Sequence, residues 1–322
     1  GYPPGEHPAS STVAFQISAL YSPFVSWAQL VREHFEARLK GAVELHGWIN
    51  GRLGWIVEGE QLKVTADQIL RKAARGHKAH APKGTVAILA TADTQADGWP
   101  WEVRAHSRGG KSRLIGLGHA KTLEELRSQA LLRRFPLWSG REAQPELLLV
   151  DAGGGWDTPD GGMTDRIYKF ALLDSRIRPI KGHGGTTRAA TRLREAQSGK
   201  EVPEGVKLWV VCTQSYKDVL AARIATDDPE LWEETALATP EYAKQMASEA
   251  KVAVKKGSKT EMVWKIKVRG SANHYWDCSV YQCAAADMLD LDVRADLMVE
   301  ESPQEESEGG WWSGSRNPGG GW

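Results

Sequence analysis

Three aspartates stand where a carboxylate is costly to keep, which makes them the first candidates for chemistry. Asp93 ends the apolar run TVAILATADTQ, and Asp151 ends LLLVDAGG. Both runs read as buried strands, apolar without interruption and closed by polar or glycine-rich residues. Asp277 falls early in a helical stretch from Tyr275 to Leu291, on one face with Val280 or Tyr281, Ala284, Met288 and Leu291. Carboxylates on apolar faces persist when they are paired or bound to a cation. Three of them within a few ångströms repel one another and need cations between them. Hard divalent ions such as Mg2+ or Mn2+ suit such oxygen ligands. Two ions roughly 3.5–4 Å apart would activate a water and stabilise the leaving oxygen of a phosphodiester. Taken singly, the same aspartates also fit a strand-end turn, a glycine-loop turn and a charge near a helix N-terminus.

The elements that must position these residues follow from patterning. After the strand ending at Asp93, WEVRAHS and SRLIGLGHA flank Arg108-Gly109-Gly110-Lys111, a β-hairpin signature. TLEELRSQALLRRF (122–135) reads as an amphipathic helix with Thr122 as N-cap and Glu125 closing a capping box. The strand to Asp151 comes next, then a helix from Thr164 to Leu173 and a strand over IRPIKG (177–182). VKLWVVC (206–212), a helix from about Tyr216 to Ile224, the strand MVWKIKV (262–268) and the final helix complete the order. Strands alternating with helices around one hairpin imply an α/β fold, a mixed sheet flanked by helices. If the first and fourth strands are neighbours, Asp93 and Asp151 lie side by side. A helix packed on the sheet then brings in Asp277.

Upstream, residues 1–12 read as a leader and Leu20, Phe24, Trp27, Leu30, Val31 and Phe35 recur near helical spacing, with Ser26 as N-cap. Pro82 and Gly84 place a boundary, so residues 1–84 form a leader and helical linker and 85–295 the main domain. Residues 296–322 are acidic, then Gly/Ser/Trp-rich, and are expected to be disordered. The chain lacks a secretory signal pattern and does not begin with Met, so a fragment or processed piece is expected. No run of about 18 apolar residues is present to cross a bilayer. Three cysteines, Cys212, Cys278 and Cys283, include no C-x-x-C pair, which argues against a disulfide framework or structural zinc and for a reducing cytoplasm. Formal charge is zero, yet the tail from Asp296 holds six acids against Arg316 alone. Residues 71–83, 176–200 and 251–269 are strongly basic, as a polyanion partner would favour.

Several blocks resemble the lambda-type terminase large subunits in order: ISALYSPFVSW (17–27), LHGWINGRLGW (45–55), LATADTQADG (89–98), LLLVDAGG (147–154), IKG (180–182), SYKDVL (215–220) and NHYWDCSVYQCAAAD (273–287). YSPFVSW and the N-x-x-x-D-C-x-x-Y ending are the specific ones. The resemblance implies an RNase H-like nuclease domain, with the packaging ATPase lying upstream and outside this chain. It further implies metal-dependent endonucleolytic cleavage of double-stranded DNA by Asp93, Asp151 and Asp277 with two Mg2+ or Mn2+ ions, in the host cytoplasm. The terminase small subunit and the portal are the implied partners, with no membrane. Lys181 and Lys217 match family lysines suited to phosphate, and Arg188 and Arg192 are further DNA-binding candidates. His274 stands where the family usually has an acid, and either joins the site as an outer ligand or, more simply, faces solvent. RGGKS (108–112) lacks the first glycine of a Walker A loop, since Ala105 occupies that position, and a strand follows it. A resolvase or integrase of the same superfold, or a non-enzymatic docking module, are the alternative readings.

Overall fold

The computed structural model describes residues 17–40, 45, 47–54, 64–153, 157–158, 161–183, 193–196, 202–226, 228–256 and 259–300. Its centre is a seven-stranded sheet. In chain order the strands are β1 (Thr85–Ala92), β2 (Trp99–Ser107), β3 (Ser112–Ala120), β4 (Leu147–Asp151), β5 (Ile177–His183), β6 (Leu193–Glu195) and β7 (Trp209–Cys212). In space the order is β6-β7-β5-β4-β1-β2-β3. β1 is parallel to β4, β4 to β5 and β5 to β7, while β2, β3 and β6 run antiparallel to their neighbours. The first and fourth strands are adjacent, which meets the condition for Asp93 and Asp151 to lie side by side, and the mixed order is consistent with an RNase H-like sheet.

Strand alternation divides the core into two layers. Ala87 and Leu89 of β1 and Leu147 and Leu149 of β4 enter one cluster, and Ile88, Ala90, Ala92, Leu148 and Val150 enter the other. The first layer holds α2 (Ala66–Ala73), α5 (Thr213–Ala225), α6 (Pro240–Met246) and α7 (His274–Met288), and the second holds α3 (Leu123–Leu126) and α4 (Met163–Ala171). Before them α1 (Trp27–Lys40) forms with Ser26 accepting from Gln29 N. Leu30 is buried, whereas Phe24, Trp27, Val31 and Phe35 are exposed. α8 (Leu291–Glu300) follows α7 after Asp290, whose φ is +46°.

Three expectations are revised by the fold. The helix over 122–135 is α-helical only across α3, then widens into π turns over Arg127–Leu132 before the chain extends. Thr122 accepts from Glu125 N, but the Glu125 carboxylate reaches Lys121 N. The apolar stripe of the final helix implies a single buried face. α7 is instead buried on nearly all sides, from Cys278 through Ala286, because it lies between the sheet and α5 and α6. The strand expected over 262–268 is β9 (Lys259–Ile266), paired with an unexpected β8 (Glu249–Lys256) outside the main sheet. The Gly-Gly turn between β2 and β3 forms as expected, with Gly109 and Gly110 at φ +74° and +72°, backbone that other L-residues rarely adopt. All three cysteines are buried, and none of them forms a disulfide.

Candidate active site

Parity along the strands aims two carboxylates at the same helix. Residues 87, 89, 91 and 93 share a face of β1 and its extension, and 147, 149 and 151 share a face of β4, both turned toward the α7 layer. The β1–β4 register ends at Ala92↔Val150, so Asp93 and Asp151 follow side by side at the carboxyl edge of parallel strands. Ligand sites of open α/β sheets commonly lie there. Thr94 Oγ1 donates to the Asp151 carbonyl at 2.5 Å and ties the two strand ends together.

Buried polar bonds to the sheet fix the rotation of α7. Thr91 Oγ1 donates to the Cys278 carbonyl (2.9 Å), Ser279 Oγ donates to Glu102 (2.8 Å), and the Gln282 amide donates to the carbonyls of Leu89 and Glu102. With those residues against the sheet, His274, Asp277 and Tyr281, spaced three and four apart, turn along one side toward the strand ends. His274 Nδ1 lies 2.9 Å from Asp93 Oδ2, and Tyr281 donates to Asp151 Oδ2 at 3.3 Å. Asp277 sits between them.

The three carboxylates feel one another. Burial, then the charge of Asp93, raises the Asp151 pKa to about 6, against hydrogen bonds from Gly153 N and Tyr281 and the charge of Lys181. Asp277 is raised as well, by burial first, with Asp93 and Glu249 adding to it and Lys217 opposing. The phenol of Tyr281 is raised by burial and then by Asp151, Asp277 and Asp93, so all three charges converge on one side chain. Among the described residues, no three His, Cys, Asp or Glu side chains are gathered closely enough to hold an ion together.

Lys217 and Lys181 both stand at this edge, in different settings. Lys217 is buried on α5 and meets both Glu249 oxygens at 2.7 and 2.8 Å and Asp277 Oδ1 at 3.3 Å. Burial depresses its ammonium, yet Asp277 and Glu249 more than offset this and hold its pKa above the ordinary lysine value. Lys181, half-buried on β5, extends over the Tyr168 ring at 5.8 Å. Arg188 and Arg192 lie outside the described residues.

Several members of the site are not evident from patterning. His274 turns inward, against the simpler expectation that it faces solvent. Its spacing of three from Asp277 is the available signal. Tyr281 falls within the apolar stripe, and its one signal is that it closes the N-x-x-x-D-C-x-x-Y block. Glu249, at the first residue of β8, stands out in no motif. It is buried and also accepts from Asn273 Nδ2 (2.9 Å), which donates to Asp277 Oδ2 as well (2.7 Å). Only the fold joins Glu249 to Lys217.

Residues 12–297 match the family model described as the endonuclease domain of the terminase large subunit gpA. The chain is also 27% identical over 323 residues to the terminase large subunit of Enterobacteria phage P21, covering 94% of this chain and 48% of that protein. It therefore spans about half the length of that relative. No helix among the described residues is long and apolar enough to cross a membrane. With the match extending across most of its length, the chain belongs to the terminase large subunit gpA endonuclease domain family.

Proposed function

We propose that this chain is a divalent-ion-dependent endodeoxyribonuclease that cuts double-stranded DNA during viral genome packaging, in the host cytoplasm. The supporting observation is that Asp93, Asp151 and Asp277 stand near one edge of the sheet, where burial and then the negative charge of Asp93 raise the pKa values of Asp151 and Asp277. The donor chemistry fits Mg2+ or Mn2+: hard carboxylate oxygens, partly desolvated, with mutual repulsion that a cation relieves. A divalent ion supplies Lewis-acid stabilisation of phosphodiester charge.

The chain's own residues do the positioning. His274 anchors Asp93, Tyr281 and the Gly153 amide anchor Asp151, and Asn273 anchors Asp277. These bonds limit carboxylate rotation before substrate arrives, which is what in-line attack on a phosphodiester requires. Lys181 is proposed to meet a DNA phosphate, as are Arg188 and Arg192. Family membership favours this reading over a resolvase, an integrase or a docking module. A terminase small subunit and a portal are its proposed partners.

The test is cleavage of plasmid DNA with Mg2+ or Mn2+ and with EDTA. Asp93→Asn and Asp277→Asn are expected to lower the rate by at least about a hundredfold, on the scale of losing a preorganised electrostatic group, with melting behaviour retained. Near wild-type cleavage by either variant, or cleavage in EDTA, refutes the proposal.

A further inference from the structure

Beside the carboxylates the chain exposes aliphatic side chains that no core layer takes up. From the end of β9 it runs Lys265-Ile266-Lys267-Val268-Arg269, cation and aliphatic in alternation. Extended backbone sends such neighbours to opposite sides, and the extension continues past Ile266, since Lys267 N donates to the Ser248 carbonyl (2.9 Å). The Lys267 ammonium turns back to donate to the Ala247 carbonyl (2.6 Å). Ile266 and Val268 face the other way and stay 42% and 65% exposed. In the β8–β9 register Ile266 is the partner of Glu249, so the two side chains share a face, and Glu249 is the acid that grips Lys217 beside Asp277. Ser271 N then donates to the Val268 carbonyl (3.0 Å), with Gly270 at φ +82°. That turn leaves Val268 at a corner just ahead of Asn273, which donates to Asp277.

We propose that Ile266 and Val268 form an apolar wedge that enters the minor groove of a bound duplex and unstacks a base step beside the bond to be cut. Aliphatic side chains inserted in this way part neighbouring bases and bend the duplex toward its major groove. Two observations select DNA as the occupant of this ledge. It is continuous with the carboxylate site through Glu249, and Lys265 and Arg269, both exposed, flank the aliphatics. The pattern matches a groove, with apolar base faces and sugars inside and phosphates along both rims. Opening a step sacrifices stacking, and the contacts that the bend permits to the flanking cations offset that loss. The inference rests on the endonuclease reading above and specifies how that site engages its substrate.

The test compares the wild type with Ile266→Ser, Val268→Ser and the double variant, on a fully paired duplex and on the same duplex carrying a mismatched step. The variants are expected to cut the paired duplex about tenfold more slowly, a part of the penalty for opening a step unaided. On the mismatched duplex, whose step is already loosened, they should recover to near the wild-type rate. Ile266→Leu and Val268→Met keep an apolar side chain and should match the wild type on both. Equal slowing on the two duplexes, as a merely structural role would give, or wild-type rates throughout, overturns the inference and leaves the nuclease reading standing. A second arm needs no cleavage. In the Asp277→Asn background, 2-aminopurine placed at successive positions of the duplex is expected to brighten on binding, and to stay quenched when the serine substitutions are added. Absence of brightening overturns the wedge. A wild type that cuts neither duplex overturns the endonuclease reading, and the 2-aminopurine signal then decides the wedge by itself.

Discussion

His106 lies fully buried on β2, and its neighbours determine its protonation. The Gln282 amide nitrogen donates to backbone carbonyls, so Gln282 Oε1 must accept, and His106 Nε2 at 2.9 Å must carry the proton. Nδ1 has no hydrogen-bond partner among the described residues. The ring is therefore neutral, and burial drives its pKa down to about 3 from 6.5, with Arg223 and Arg104 adding to the shift and the Gln282 bond opposing it. A histidine depressed in the folded state takes up its proton preferentially on unfolding, so stability falls as pH drops from about 6.5 toward 3. The whole shift is worth on the order of 4–5 kcal/mol at most. Urea unfolding at pH 4.5, 5.5 and 7 should show His106→Gln losing less stability toward acid than the wild type. Parallel acid limbs would mean that His106 is not what sets this slope. The same locality explains what is legible in the sequence at this scale. Asp93 and Asp151 can be picked out because each breaks an apolar strand, a signal contained within ten residues. Glu249 cannot, because its meaning lies in Lys217, 32 residues away, and in a pairing that only the docked hairpin creates.

α7 shows the limit of pattern reading at the scale of elements. A helix buried all round has no polar face to betray its orientation, so its existence is legible and its rotation is not. Buried charge on β2 takes part in setting that rotation. Arg104 is wholly buried, stacks on Trp232 at 3.7 Å, and pairs with Glu102 at 2.5 Å and Glu234 at 2.8 Å, while Glu102 in turn accepts from Ser279 on α7. Tyr242 on α6 joins the same group through both acids. Removing one member of such a cluster leaves its partners charged and dry, at a cost of about 3–5 kcal/mol. Arg104→Met is expected to lose that much in denaturant unfolding and, because α7 is then less firmly registered, to lower cleavage as well. A loss below about 1 kcal/mol would show that the network is not what holds α7. β3 supports the register from the far side. A Cβ at Gly118 would come within 2.5 Å of the Trp101 ring, so the two strands approach there only because the residue is glycine.

Over the whole molecule, neutrality conceals separation of charge. The acidic tail balances a body whose basic stretches include 251–269, and the structure shows where that stretch begins: β8 starts at Glu249, inside the carboxylate site, and β9 returns to exposed Lys265 and Arg269. A duplex lying across the carboxyl edge of the sheet would meet Lys181 on one side and the foot of this hairpin on the other. Such an interface exchanges protein cations for the counterions condensed on DNA, so affinity should fall steeply with salt and depend little on sequence. Binding of a labelled duplex to the Asp277→Asn background, measured from about 50 to 200 mM salt, isolates this effect from cleavage. Adding Lys181→Ala, Lys265→Ala or Arg269→Ala should weaken binding uniformly across unrelated sequences and flatten the log–log salt slope by about one for each phosphate left without its cation. Lys111, which pairs with Glu230 at the opposite end of β2, is the control and should leave the slope unchanged when replaced by alanine. If Lys111→Ala alters the slope as much as the three edge variants do, the duplex does not track along the carboxylate edge.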